Sequence, residues 1–174
     1  TELLHVFALM HDDRIDADKA ERYFATPDDA VLRLLAGDLI HTVALDLLAH
    51  AVIDHRLNPL ILTEVRSVSI RTIIGQVQDM RFLCTEGREE PTFERLYQLY
   101  DDKTGWYTVA APLRIGALAA GAEQTELDLL TAMAVPLGRA YQLRDDVRDL
   151  TAILRSRDGT HRHPRWELNL AATW

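Results

Sequence analysis

The chain has 174 residues, 48% of them apolar and 26% charged, with a formal net charge of −8. That suits a single globular domain whose core needs no disulfide or structural metal, and it lacks the basic surplus that nucleic acid or an anionic membrane rewards. The lone Cys84 excludes an internal disulfide and fits a reducing, cytoplasmic setting, and no uncharged run exceeds ten residues, which leaves no transmembrane segment.

The opening Thr1-Glu2-Leu3-Leu4 has no initiator Met and reads as mid-helix, so further chain is expected before it. Leu3, Val6, Phe7 and Met10 recur at helical spacing and lead into His11-Asp12-Asp13. Val31, Leu34, Leu35 and Leu39 continue the pattern, and Ile40 to Ile53 is apolar at nearly every turn. Asn58 as a cap and Pro59 at the first helical position open a helix expected to run to Cys84 and to stop at Glu86-Gly87-Arg88. Pro91-Thr92 starts another, which Gly105, Pro112 and Gly116 should bend or interrupt. Glu123-Gln124-Thr125 begins a last long helix through Asp149. With no βαβ alternation, repeat or low-complexity linker, the fold class is all-α, a bundle of long helices.

Two acidic clusters carry the chemistry: Asp12-Asp13-Arg14-Ile15-Asp16 and Asp145-Asp146-Val147-Arg148-Asp149, both of the form DDxxD. On a helix Asp12 and Asp16 share a face, as do Asp145 and Asp149. Like charges at that spacing repel, and a cation between them turns the repulsion into a ligand set suited to Mg²⁺, which also takes water and phosphate oxygens. One such cluster is as readily a solvated helix end. Two, each closing an apolar helix, argue for a pair of facing metal sites.

Over roughly Leu3 to Leu150 the sequence resembles the trans-isoprenyl diphosphate synthases, or polyprenyl synthetases. The first aspartate-rich motif is matched by Leu9-Met10-His11-Asp12-Asp13-Arg14-Ile15-Asp16 and the second by Tyr141-Gln142-Leu143-Arg144-Asp145-Asp146-Val147-Arg148-Asp149-Leu150. Ala36-Gly37-Asp38, Gly75-Gln76-Val77-Gln78-Asp79 and Lys103-Thr104-Gly105 lie between them in the family's order. The resemblance implies an isoprenoid synthase-type bundle of antiparallel helices around a central cavity, and a prenyltransferase that ionises an allylic prenyl diphosphate and condenses it with an acceptor, most often isopentenyl diphosphate. It implies up to three Mg²⁺ ions held with the substrate diphosphate by Asp12, Asp16 and Asp145, and a homodimer, for which the apolar Ile61-to-Ile74 stretch is a candidate face. Lys103 is then a point charge on the diphosphate, with Thr104 and Gln76 as neutral donors, and Arg22, Tyr141 and Gln142 complete the substrate-binding set. Phe7 and Ala8, before Asp12 on the same helix, are expected to set the depth of the prenyl pocket. Read from residues alone, Lys103 is a solvated lysine beside Asp101 and Asp102, Gln76 and Asp79 are an ordinary polar pair, and Phe7 is plain core.

The pattern also breaks. The family's Arg-Arg-Gly triplet after the first motif is Glu21-Arg22-Tyr23 here, which sets a carboxylate where an arginine would touch diphosphate. Thr160, in Arg157-Asp158-Gly159-Thr160-His161-Arg162, stands where the family has lysine. Residues 1–174 read as a single helical prenyltransferase domain, expected to lack the family's helices that precede the first motif and carry the basic isopentenyl diphosphate site, together with some loop or C-terminal residues. Transfer to a non-canonical acceptor in specialised lipid or antibiotic biosynthesis is therefore the alternative. A non-catalytic partner subunit and a terpene cyclase rank lower, because both aspartate clusters are complete.

Overall fold

The structure, a computed structural model, describes residues 2–15, 27–50, 56–84 and 92–155, and every regular element among them is helical. Helices α1 (Glu2–Ile15), α2 (Pro27–His50) and α3 (Asn58–Cys84) are followed by α4 (Phe93–Tyr100), a π-helix (Asp101–Ala110), α5 (Ala111–Ala119) and α6 (Gln124–Arg155). No described helix is long and apolar enough to cross a membrane.

Local chemistry sets most helix starts. Leu57 O accepts from Ile61 N at 3.0 Å, so α3 begins one residue earlier than the sequence suggests. Asn58 is thus inside the first turn, and Pro59 gives up no hydrogen bond there. Thr92 caps α4 by accepting from Arg95 N at 3.3 Å. Glu126 reaches back to the Glu123 N–H at 2.9 Å, half of a capping box at the start of α6. Gly105, Pro112 and Gly116 do not interrupt their helix. The run from Phe93 to Ala119 is unbroken, and its hydrogen bonds widen to the π register, as in Ala111 N–H to Trp106 O. Pro112, with no N–H to give, stands at the start of α5 where the α register resumes.

Leu4, Ala44, Ile61, Val65, Leu118 and Leu127 form the main core, drawn from α1, α2, α3, α5 and α6. The Ile61-to-Ile74 stretch divides between two faces. Ile61, Val65 and Val68 are buried, while Ile70, Ile73 and Ile74 are about half exposed. The π-helix is clasped between α3 and α6 at glycines. A Cβ on Gly75 would lie 2.5 Å from Lys103 N, and one on Gly138 would lie 2.4 Å from Gly105 Cα. Only glycine allows backbones that close.

Candidate active site

Five consecutive residues at the junction of α4 and the π-helix reach three other helices. The Tyr100 hydroxyl donates to Asp146 on α6. Asp101 takes a two-pronged bond from Arg139 on α6, both contacts at 2.6 Å. Asp102 accepts from Arg71 on α3 at 2.8 Å and from Gln98 at 2.7 Å. Lys103 Nζ lies 2.7 Å from Asp79 on α3 and 3.8 Å from Asp12 on α1. Thr104 donates to Gln142 Oε1 on α6 at 2.6 Å. Burying a charge is costly unless it is paired, and of the buried aspartates Asp101 and Asp102 each meet an arginine and Asp79 meets Lys103. Lys103 is therefore not a solvated lysine paired with its neighbours Asp101 and Asp102, since only 22% of its side chain is exposed.

Lys103 instead bridges two motifs that are far apart in sequence, the first aspartate cluster and Asp79. Gln76 and Asp79 do not bond each other: Gln76 Nε2 donates to Asp12 at 3.2 Å, and Asp79 receives Lys103. On the α6 side, Gln142 Nε2 donates to Asp146 at 2.9 Å. Tyr107, also on the π-helix, sits within electrostatic reach of both sides. Burial pushes its phenol above the ordinary range against the opposing Thr108 hydroxyl, and the Asp12 charge adds to that push while Lys103 opposes it.

The expected site residues fall into three groups. Asp12, Lys103 and Gln76 converge, and Thr104 and Gln142 meet beside them. Tyr141, next to Gln142 on α6, lies under the Arg144 guanidinium, 4.6 Å from its ring centroid. Asp145 pairs with the same arginine at 3.2 Å. Phe7 is buried against the rings of His11 and His41, with centroids 4.7 and 4.6 Å away, and Ala8 beside it is half-buried. Asp16, Glu21, Arg22 and Thr160 lie outside the described residues. The second aspartate cluster does not close its helix, since α6 continues to Arg155. Tyr100, Arg71 and Arg139 were not singled out by the sequence, and Asp146 was read only as a member of the second cluster, yet they order the segment that carries Lys103 and Thr104.

Among the described residues no three His, Cys, Asp or Glu side chains gather into a metal cluster. Mg²⁺ does not require one, because it is commonly held by one or two carboxylates together with phosphate oxygens and water. Asp12 and Asp145 supply hard oxygen donors that keep 26% and 35% of their side-chain surface exposed. Their chemistry fits that ion.

Residues 1–156 match the family described as Polyprenyl synthetase. The geranylgeranyl diphosphate synthase of Sulfolobus acidocaldarius is 34% identical over 158 residues, which is 87% of this chain and 46% of that protein. The (2E,6E)-farnesyl diphosphate synthase of Mycobacterium bovis is 35% identical over 153 residues, 84% of this chain and 40% of that protein. Among solved structures, geranylgeranyl pyrophosphate synthase from Corynebacterium glutamicum, complexed with isoprenyl diphosphate and magnesium, is similar with a TM-score of 0.71 and 28% identity over 84% of this chain and 45% of that one. The chain spans less than half the length of these curated relatives. With a family match over nearly its whole length and an all-helical fold shared with these synthases, this chain belongs to the polyprenyl synthetase family.

Proposed function

We propose that the protein containing this chain is a Mg²⁺-dependent prenyltransferase that elongates an allylic prenyl diphosphate with isopentenyl diphosphate. The observation that carries this is the convergence of Asp12, Gln76 and Lys103 beside the Thr104–Gln142 pair of the second aspartate-bearing helix. Relatives named as geranylgeranyl, farnesyl and geranylfarnesyl diphosphate synthases support elongation over transfer to another acceptor. Asp12 and Asp145, with Asp16, would hold up to three ions, which when bound neutralise the leaving diphosphate. Lys103 sits where it exchanges Asp79 and Asp12 for diphosphate oxygens as a mobile point charge. The Thr104 proton is committed to Gln142, so Thr104 meets a substrate through its oxygen lone pairs and not as a free donor. Phe7, one turn before His11 on α1 and stacked on His41 of α2, would limit the length of the prenyl tail. The half-exposed Ile70, Ile73 and Ile74, with Leu35 and Leu39 on α2, supply the apolar surface of a homodimer.

Incubating the full-length protein with labelled allylic diphosphates, Mg²⁺ and isopentenyl diphosphate tests the proposal. Longer prenyl diphosphates that vanish on chelation support it. Consumption of the allylic substrate without any need for isopentenyl diphosphate points to another acceptor, and no consumption refutes it. Replacing Phe7 with Ala should lengthen the product by at least one isoprene unit, read by chromatography of the dephosphorylated chains.

A further inference from the structure

Asp145 and Asp146 are adjacent in sequence and opposite in environment. Asp145 keeps 35% of its side chain exposed beside Arg144. Asp146 is buried and takes a donor on each oxygen, the Tyr100 hydroxyl on Oδ2 and Gln142 Nε2 on Oδ1. With a donor already on each side, Asp146 acts as an acceptor through both oxygens. Its demand for a donor turns the Gln142 amide so that Nε2 faces Asp146 and Oε1 faces Thr104, and Thr104 answers by donating its proton at 2.6 Å. The direction of the whole chain of hydrogen bonds is thus set at its buried end.

The spacing suits this arrangement. Tyr100 and Thr104 are four residues apart on one helical run, as are Gln142 and Asp146 on α6, and the two pairs meet in antiparallel order. Tyr100 itself packs with Leu96 in a small buried cluster, which fixes its ring before the π-helix begins.

We propose that Tyr100, acting through Asp146, is a positioning residue of the prenyltransferase site, holding Gln142 and Thr104 in one orientation and keeping Asp146 out of the metal ligand set. What Gln142 and Thr104 act upon rests on the function proposed above; the polarity of the hydrogen bonds does not.

Tyr100→Phe, Asp146→Asn and the double variant in the full-length protein test this, with circular dichroism confirming that each folds. In the metal-free protein the Gln142 side-chain amide signals in the ¹⁵N–¹H spectrum should move in both single variants. In turnover, kcat should fall by about 10- to 100-fold in each single variant, as displaced positioning groups do, while the half-saturating Mg²⁺ concentration stays within about 3-fold. The double variant should be no slower than Asp146→Asn by more than about 3-fold, because residues acting as one unit are not additive. A tyrosine that only supports the fold would lower the melting temperature and leave kcat unchanged, which overturns the proposal. So does a Mg²⁺ half-saturation raised about tenfold or more in Asp146→Asn but not in Tyr100→Phe, since Asp146 would then be a ligand in its own right. If the wild-type protein turns over no allylic diphosphate, the function fails on its own, and an unmoved Gln142 amide in both variants still refutes the positioning role.

Discussion

The two sides of the molecule are built to different tolerances. Where the π-helix lies between α3 and α6, backbones touch at glycines, and the polar side chains from Tyr100 to Thr104 are each bound to another helix. Along α2, Leu32, Leu35, Leu39 and Leu47 are 56–63% exposed. The close-packed side is the one that carries Lys103, Thr104 and Gln142. Groups that must hold position are fixed by paired charges and close backbone contact, while the α2 face is apolar surface that a neighbouring body would cover.

Substitutions that break the close-packed side should have the largest effects. Arg114 spans α5 to α3, held by Glu64 through two contacts, and both side chains are nearly buried. Arg114→Ala strands the Glu64 carboxylate and should cost about 3–5 kcal/mol in urea unfolding, because a buried charge left alone is worse than no pair. Gly138→Ala forces its new Cβ against Gly105 and should cost about 1–3 kcal/mol, with a matching loss of melting temperature. On the other side, Leu39→Lys should change unfolding by less than about 0.5 kcal/mol at a protein concentration where the chain is monomeric. In the full-length protein the same change should shift sedimentation from dimer to monomer. Equal destabilisation by Leu39→Lys and Gly138→Ala would erase the contrast.

The smallest effect concerns His41, which stacks on Phe7 and shares a hydrogen bond with Ser69 at 3.1 Å. Burial lowers its pKa below the ordinary 6.5, with Asp38 opposing and His11 adding to the fall. The unfolded chain therefore takes up a proton near that ordinary value that the folded chain refuses. The stability present above this range declines as pH drops through it, and His41→Gln should flatten that slope in urea midpoints taken between neutral pH and pH ~5.

Much of this was legible in the sequence, and the boundary between what was and was not is physical. The helix starts at Thr92 and Glu123 rest on side chains within three residues of the backbone groups they satisfy. The paired DDxxD clusters were also visible, because their spacing is local, whereas Lys103-Thr104 stood out only through the resemblance to the family. Gly105 and Pro112 looked like breaks because a π register has no local signature that a glycine or proline would not also give to a kink. The burial of Asp101 and Asp102 was invisible, since their partners Arg139 and Arg71 lie 38 and 31 residues away. The separate environment of Asp146, which had no role in the sequence reading beyond its place in the motif, was invisible for the same reason: the hydroxyl that binds it belongs to Tyr100, 46 residues distant.

The most direct test of a site shared by α1, the π-helix and α6 is calorimetric titration of the full-length protein with pyrophosphate, with and without Mg²⁺. Binding should require Mg²⁺, and Asp12→Ala, Lys103→Ala and Asp145→Ala should each weaken it by about tenfold or more, roughly 1.4 kcal/mol. Pyrophosphate bound equally well without Mg²⁺, or by Asp12→Ala as tightly as by the unaltered protein, would contradict the assignment.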